Sequence, residues 1–427
     1  MRFVDLFAGI GGFHLALSQG FGAECVFASD IDPTCREVYA RNFGLRPEGD
    51  IRPLTEGSTI LVPEHDVLCA GFPCQPFSKS GQQLGINETR GTLFFNILRV
   101  LQARRPKYVI LENVRNLAGP RHTHTWATII RNLRALGYRV SDDPSVFSPH
   151  LLPPSQEGRP QFRERVFILA EYVGEGSHLD DLVSRPLVAN LPVGGWNPAN
   201  WRIDDYLDSE AAIEHRDRYV LRPQELVWLD TWNELLQQLD AARLPGFPIW
   251  VDAFVDRPLI PAGTPSWKSE FLEKNSRFFV ANRDVIDPWL VRHGDLAHFP
   301  PSRRKFEWQA QDSERDVWKL VAHLRPSGIR VKQGTYLPAL VAITQTSVIG
   351  WRRRRITPKE AARLQGFADD FVLAADDSTA YRHLGNAVNV GAVRYVAAAL
   401  FSGAGNESHE ISVQHDHEQL ALPVSSK

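Results

Sequence analysis

The sequence is short of several residue types that would otherwise narrow its reading. Its one methionine is the first residue, and its 427 residues hold four cysteines, Cys25, Cys35, Cys69 and Cys74. No two of them form a C-x-x-C pair, so neither a disulfide framework nor a cysteine metal knot is expected, and a reduced, cytoplasmic setting follows. No metal ligand set is expected. Long apolar runs are also missing, with 108–111 and 166–170 typical of what there is. A membrane span needs about 20 apolar residues, so no membrane association is expected. The opening Met1-Arg2-Phe3-Val4-Asp5 reads as a strand and not as a secretory leader. Charge of one sign is lacking too. With 48 basic and 50 acidic residues the net charge is −2, which excludes a uniformly basic nucleic-acid coat but not a basic cleft.

What remains is an ordinary globular composition, 43% hydrophobic, and a length that suits a large domain with a smaller one. Strands are expected at 2–7, 24–28, 66–70, 108–112 and 165–171, with amphipathic helices at 33–42, 93–103 and 125–136 between them. That alternation predicts an α/β fold, an open and mostly parallel sheet covered on both faces, whose ligands sit at the carboxyl ends of the strands. The rhythm stops near Gly174. From there to about Trp351 the chain is richer in Trp and Pro, as expected of a smaller module of irregular or antiparallel, β-rich structure. Helical patterning returns at 357–365 and 381–401, and the polar stretch beyond 403 reads as a disordered tail.

Three loops carry the chemistry. The first strand runs into Ala8-Gly9-Ile10-Gly11-Gly12-Phe13 and then a helix, a junction that lets backbone approach a ligand at a helix N-terminus. It is shorter than the dinucleotide fingerprint, which favours a smaller nucleoside-like ligand; alone, it also fits glycines used for packing. Asp30, in Ser29-Asp30-Ile31-Asp32, stands about 20 residues further on, where an acid accepts ribose hydroxyls. Asp50, in Gly49-Asp50-Ile51, is placed to accept from an adenine amino group. The second loop, Gly71-Phe72-Pro73-Cys74-Gln75-Pro76-Phe77-Ser78, follows a strand, and its prolines stiffen the turn around a thiol. A thiolate there is a nucleophile; alone, Cys74 also fits a small buried side chain. The polar, glycine-bearing stretch 79–91, just after Ser78, suits a lid. In the third loop Glu112 ends an apolar strand, where a carboxyl beside a thiol serves as a tuned acid. Further on, alternation puts Gln161, Arg163 and Arg165 on one face, a row suited to phosphate or base oxygens.

In this order, these residues resemble the bacterial DNA (cytosine-5) methyltransferase family. The matching stretches are Asp5–Phe13, Gly71–Ser78, Glu112-Asn113-Val114, Gln161–Arg165, Thr357–Phe367 and Gly385-Asn386-Ala387-Val388. The resemblance covers roughly residues 1–172 and 350–400. It implies a Rossmann-like sheet that binds S-adenosylmethionine, with Phe7, Ala8, Gly9, Gly11, Gly12, Asp30, Ile31, Asp50, Ile51, Pro73, Asn386 and Ala387 around the cofactor. It implies Cys74 as the nucleophile toward cytosine C6, Glu112 at the ring nitrogen, Arg163 and Arg165 near a flipped nucleotide, and Ser78, Ser80 and Gln82 as candidate DNA contacts. Two positions depart from the family pattern: Ile31 stands where an aromatic is common, and Asn389 where proline is frequent. On this reading 1–173 is the catalytic part, 174–350 a target-recognition domain, 351–403 a hinge and C-terminal helix completing the catalytic domain, and 404–427 the tail.

Between Arg292 and Arg355 the chain carries thirteen basic residues against five acidic ones, a net +8. That concentration predicts a double-stranded DNA partner, with Arg303, Arg304 and Lys305 as candidate contacts. The expected activity is methylation of C5 in a cytosine flipped from a short duplex site, by a monomer paired with a restriction endonuclease and associated with the nucleoid. The alternatives are a transfer-RNA cytosine methyltransferase of the same fold, which typically lacks so long a middle region, and a catalytically silent DNA-binding relative.

Overall fold

The computed structural model describes residues 1–73, 92–174, 186–239, 244–340 and 346–403. Cys74, Ser78, Ser80 and Gln82, and the 404–427 tail, lie outside the described residues.

The strands form where apolar runs end in glycine or polar residues: β1 (Arg2–Leu6), β2 (Glu24–Ser29), β3 (Val67–Gly71), β4 (Tyr108–Val114), β5 (Tyr138–Val140), β6 (Ser145–Phe147), β7 (Gln161–Phe162) and β8 (Arg165–Tyr172). The large sheet has the order β2-β1-β3-β4-β8-β5, with β6 also on β8. Pairings from β2 through β4 are parallel. Strand β8 runs antiparallel to β4, β5 and β6, so the sheet has three parallel and three antiparallel pairings and is mixed, not mostly parallel as expected. Helices α1 (Gly12–Phe21), α2 (Pro33–Phe43), α3 (Arg52–Thr55), α4 (Leu93–Arg104) and α5 (Thr123–Ala135) connect the strands. Helix α2 starts where Asp32 accepts from the Thr34 N–H and Pro33 presets the first turn.

The middle region is more regular than its composition suggests. Helices α6 (Pro223–Gln238), α7 (Ser266–Ala281) and α8 (Arg283–Arg292) pack on a six-stranded sheet. Its strands are β9 (Ile249–Trp250), β10 (Lys305–Gln309), β11 (Val321–Arg325), β12 (Gly328–Lys332), β14 (Val348–Ile349) and β15 (Arg354–Arg355). Pairings are antiparallel except β10 with β12. The tryptophans build its core: Trp232 and Trp289 are fully buried, and Trp232 stacks on Phe306. This core runs from Leu221 to Val348, whereas Val188 and Ile203 pack with the first domain. Strand β13 (Leu337–Pro338) pairs with β7, stitching the middle region to the catalytic strands.

Helices α9 (Pro358–Gln365), α10 (Asp377–Asn386) and α11 (Val390–Phe401) return to the large sheet, and their apolar residues share one core with α1 and β1. The single helical stretch expected at 381–401 is two helices. Asn389 breaks and restarts it, accepting from Ala392 N at 3.0 Å and donating to Leu364 O at 3.0 Å, which accounts for asparagine at this position. By length and composition alone Asp377–Phe401 would suit a membrane span, but 67% of its most apolar window is buried inside the protein.

Candidate active site

At the carboxyl ends of the parallel strands lies a cavity of about 400 Å³, within the size range of small-ligand sites. Phe7, Ser29, Asp30, Ile31, Asp50 and Ile51 line it, with Asn96 from α4. Phe7 is held at φ 57°, a strained conformation for a side chain of this size, and it turns the chain out of β1 at the pocket. Gly9, at φ 55°, has open space where a Cβ would stand, so backbone is exposed to a ligand there. Its N–H donates to Asp30 Oδ2 at 2.7 Å, and the Asp32 N–H donates to Oδ1 at 2.8 Å. The acid is thereby aimed, and burial raises its pKa. The Ser29 hydroxyl is buried without a partner among the described residues, and Ile31 is 70% exposed at the mouth. A nucleoside-sized cavity with an aimed acid, an exposed apolar lid and an unpartnered hydroxyl fits S-adenosylmethionine.

The other expected cofactor residues divide by location. Ala8 is buried, its N–H donating to Ser29 O. Asp50 lines the cavity but faces Arg52, whose hydrogen bonds hold its carboxyl below the usual range. Gly11 and Gly12 serve packing: a Cβ on Gly11 would meet Phe43, and one on Gly12 would meet Val388. Asn386 is exposed at the end of α10, and Ala387 is buried beside the glycine turn. The C-terminal segment is tied to α2 by Arg382 Nη1 to Asp32 Oδ2 at 2.6 Å. Pro73 is exposed at the edge of the described residues. Asn96 is a pocket residue that the sequence reading missed; its signal is a polar residue on the apolar face of α4.

Beside this pocket Gly71 pairs in register with Glu112. Glu112 is buried at 7% exposure, and burial raises its pKa against the opposing pull of Arg165 and Arg163. Arg165 Nε lies 3.0 Å from Glu112 Oε1, an ion-pair contact without hydrogen-bond alignment. Asn113 Nδ2 donates to Phe72 O at 2.7 Å, fixing the chain two residues before Cys74. A buried carboxyl whose pKa is raised by that burial thus stands at the root of the cysteine loop. The described cysteines are poor nucleophiles: burial pushes Cys25 up to about 12 and raises Cys35 and Cys69 as well.

Arg163 has a different neighbourhood from Arg165. It is buried, and its guanidinium donates to Gly385 O at 2.9 Å and Ala387 O at 2.7 Å, bracketing the C-terminal segment. Gln161 is buried, and neither amide atom is bonded among the described residues. Arg303, Arg304 and Lys305 also turn inward. Arg303 donates to Arg325 O and lies over the Trp228 ring, Arg304 donates to Phe299 O and Ala297 O, and Lys305 lies over Trp250. The structure therefore does not bring these three to Glu112 or the cofactor cavity.

Among the described residues, Asp32, Cys35 and His383 bring potential metal donor atoms within 4.8 Å of one another. Two of those donors are already engaged, Asp32 by Arg382 and His383 Nε2 by Thr34 at 2.8 Å.

The chain is similar to known proteins over nearly all its length. It is 40% identical to the Type II methyltransferase M.AluI of Cellulosimicrobium cellulans, covering 92% of this chain and 90% of that one. It is 33% identical to the Type II methyltransferase M.BanI of Aneurinibacillus aneurinilyticus, covering 95% and 97%. The model of the C-5 cytosine-specific DNA methylases matches residues 1–186 and 286–402, which take in the large sheet, the helices returning to it and strands β10 to β15 of the middle region. The chain belongs to the C-5 cytosine-specific DNA methylase family, enzymes that carry a methyl group from S-adenosylmethionine to C5 of cytosine in DNA.

Proposed function

We propose that Cys74 and Glu112 perform this transfer on a cytosine flipped from a duplex. Cytosine C5 is a weak nucleophile until a group adds at C6. The Cys74 thiolate adds there while Glu112 gives a proton, or a strong hydrogen bond, to N3, which leaves C5 enamine-like. S-adenosylmethionine, when bound, supplies an electrophilic methyl on sulfur. Loss of the C5 proton then expels the thiolate and restores the ring. The target atoms are unreachable inside a stacked duplex, so the base must leave it.

One observation carries the reading: Glu112 is buried, its pKa raised by that burial, and it is in register with Gly71, three residues before Cys74. Arg165 orients Glu112, while Arg163 holds the C-terminal segment against the cofactor turn. Residues 1–173 with 351–403 act as the catalytic domain, and the region between them as the target-recognition domain. The protein works as a monomer on nucleoid DNA in the cytoplasm, paired with a restriction endonuclease; the names of M.AluI and M.BanI support that pairing. The test is transfer of labelled methyl groups to duplex DNA. Cys74→Ala should abolish transfer and keep DNA binding, and retained turnover would refute the assignment.

A further inference from the structure

The +8 stretch contains one basic residue unlike the rest. Within 292–355, twelve of the thirteen cations are engaged by carboxylates, backbone carbonyls or aromatic rings. With the described residues Lys332 makes no ion pair, hydrogen bond or ring contact, although it is half-buried and its pKa is lowered by burial and by Arg330. It lines an open cleft of about 190 Å³ with Gln309, Gln311, Gln333, Phe162 and Tyr336.

The cleft is built, not incidental. Gln309 and Lys332 pair at the ends of the parallel strands β10 and β12, so their side chains emerge at one sheet end. Gln311 is held at φ 51°, and the Trp308 indole donates to its carbonyl at 3.0 Å. A non-glycine residue kept in that conformation is a cost more often met at functional sites. The Gln311 and Gln333 amides touch at 3.5 Å. Phe162 lies three residues before Arg165, which reaches Glu112. Three extended residues span at most about 11 Å, or roughly three base-pair steps.

Resting on the reading of the chain as a duplex-DNA methylase, we propose that Lys332, Gln309, Gln311 and Gln333 read purine base edges within about three base pairs of the target cytosine. Glutamine amides pair with the N6/N7 edge of adenine and a lysine ammonium with O6/N7 of guanine, which matches the cleft's donors and acceptors. Phe162 and Tyr336 supply its apolar wall.

Bisulfite sequencing of plasmid DNA from cells expressing the wild-type chain defines the methylated site. The same experiment is then run on Lys332→Ala, Gln309→Ala and Gln333→Ala, with binding measured in vitro to the site and to each single base-pair variant of it. The expected result is a roughly 10- to 100-fold loss of discrimination at one or two positions flanking the cytosine, with cofactor affinity and melting temperature unchanged. Gln309 is exposed, so its variant tests the cleft even if Lys332→Ala misfolds. An unchanged set of sites in all folded variants would overturn the inference. So would equal weakening on every sequence with a shallower salt dependence, the mark of a phosphate contact. Absence of any wild-type cytosine methylation would overturn the functional reading itself, and this inference with it.

Discussion

Replacing Gly12 by alanine tests whether the distant C-terminal segment closes onto the cofactor turn. Gly12 opens α1 without a positive φ, so the substitution carries no left-handed backbone penalty. Its Cβ would stand 2.6 Å from Val388 Cγ2 and 2.8 Å from Val388 O, whereas ordinary contact begins near 3.4 Å, so the carbonyl must retreat by about 0.6 Å. It cannot do so freely. Ala387 O accepts from Arg163 at 2.7 Å, and Asn389 anchors the other side through Leu364 O. Overpacking of this kind costs about 1–3 kcal/mol, against which alanine returns at most about 1 kcal/mol of helix propensity. A net loss of about 1–2 kcal/mol in urea unfolding is expected, with S-adenosylmethionine affinity by calorimetry falling roughly tenfold. Adding Val388→Ala should restore only part of both, because the carbonyl clash remains. Gly9→Ala should instead cost about 1–2 kcal/mol through its left-handed backbone, independently of Val388. A Gly12→Ala variant with wild-type stability and affinity, or one fully rescued by Val388→Ala, would refute the reasoning.

Three further outcomes follow from the geometry. Arg163→Met strands two carbonyls of the C-terminal segment, so cofactor affinity without DNA should drop at least severalfold; a loss confined to DNA-dependent steps would show that Arg163 acts on the nucleotide instead. Glu112→Gln should lower kcat roughly 100-fold or more while cofactor affinity stays within about twofold. Burial keeps the proton on Glu112 above the usual carboxylate range, so wild-type activity should fall as pH rises through that raised value, and the variant should lack this limb. Equal losses in rate and affinity would count against the acid role. His14, stacked on Phe43 under the glycine turn, is lowered by burial to about 4 from 6.5. The unfolded chain therefore takes up a proton that the folded one refuses, and stability falls as pH drops from 6.5 toward 4. Between pH 7 and 5 His14→Gln should lose roughly 1–2 kcal/mol less than wild type in denaturant titrations; parallel losses would contradict this.

Five strands of the catalytic sheet were legible because they are apolar runs bounded by Gly, Pro and polar residues, and their observed ends fall within two residues of those expected; the three-residue β5 and β6 are too short to show a pattern. Glu112 could be found for the same reason, as an acid terminating an apolar strand. Arg163 could not be placed, because its acceptors are carbonyls of residues 385 and 387, and no local periodicity encodes so distant a partner. The +8 count overstates the free positive charge for a related reason. The acids that neutralise those arginines include Asp204, Glu225, Glu234 and Asp252, all outside the stretch counted. Helices α6 to α8 were missed because Trp and Pro, including Pro288 inside α8, blur a helical pattern that tertiary packing sustains.

The central claim is covalent chemistry at residue 74, and duplex DNA carrying 5-fluorocytosine at the methylated site tests it most directly. Fluorine at C5 cannot leave as a cation, so a competent thiol stays bonded to C6 after methyl transfer. The account predicts a denaturant-stable protein–DNA adduct that requires S-adenosylmethionine, maps by mass spectrometry to Cys74 and is absent from Cys74→Ala. An adduct on another cysteine, or methylation of ordinary DNA by Cys74→Ala, would contradict it.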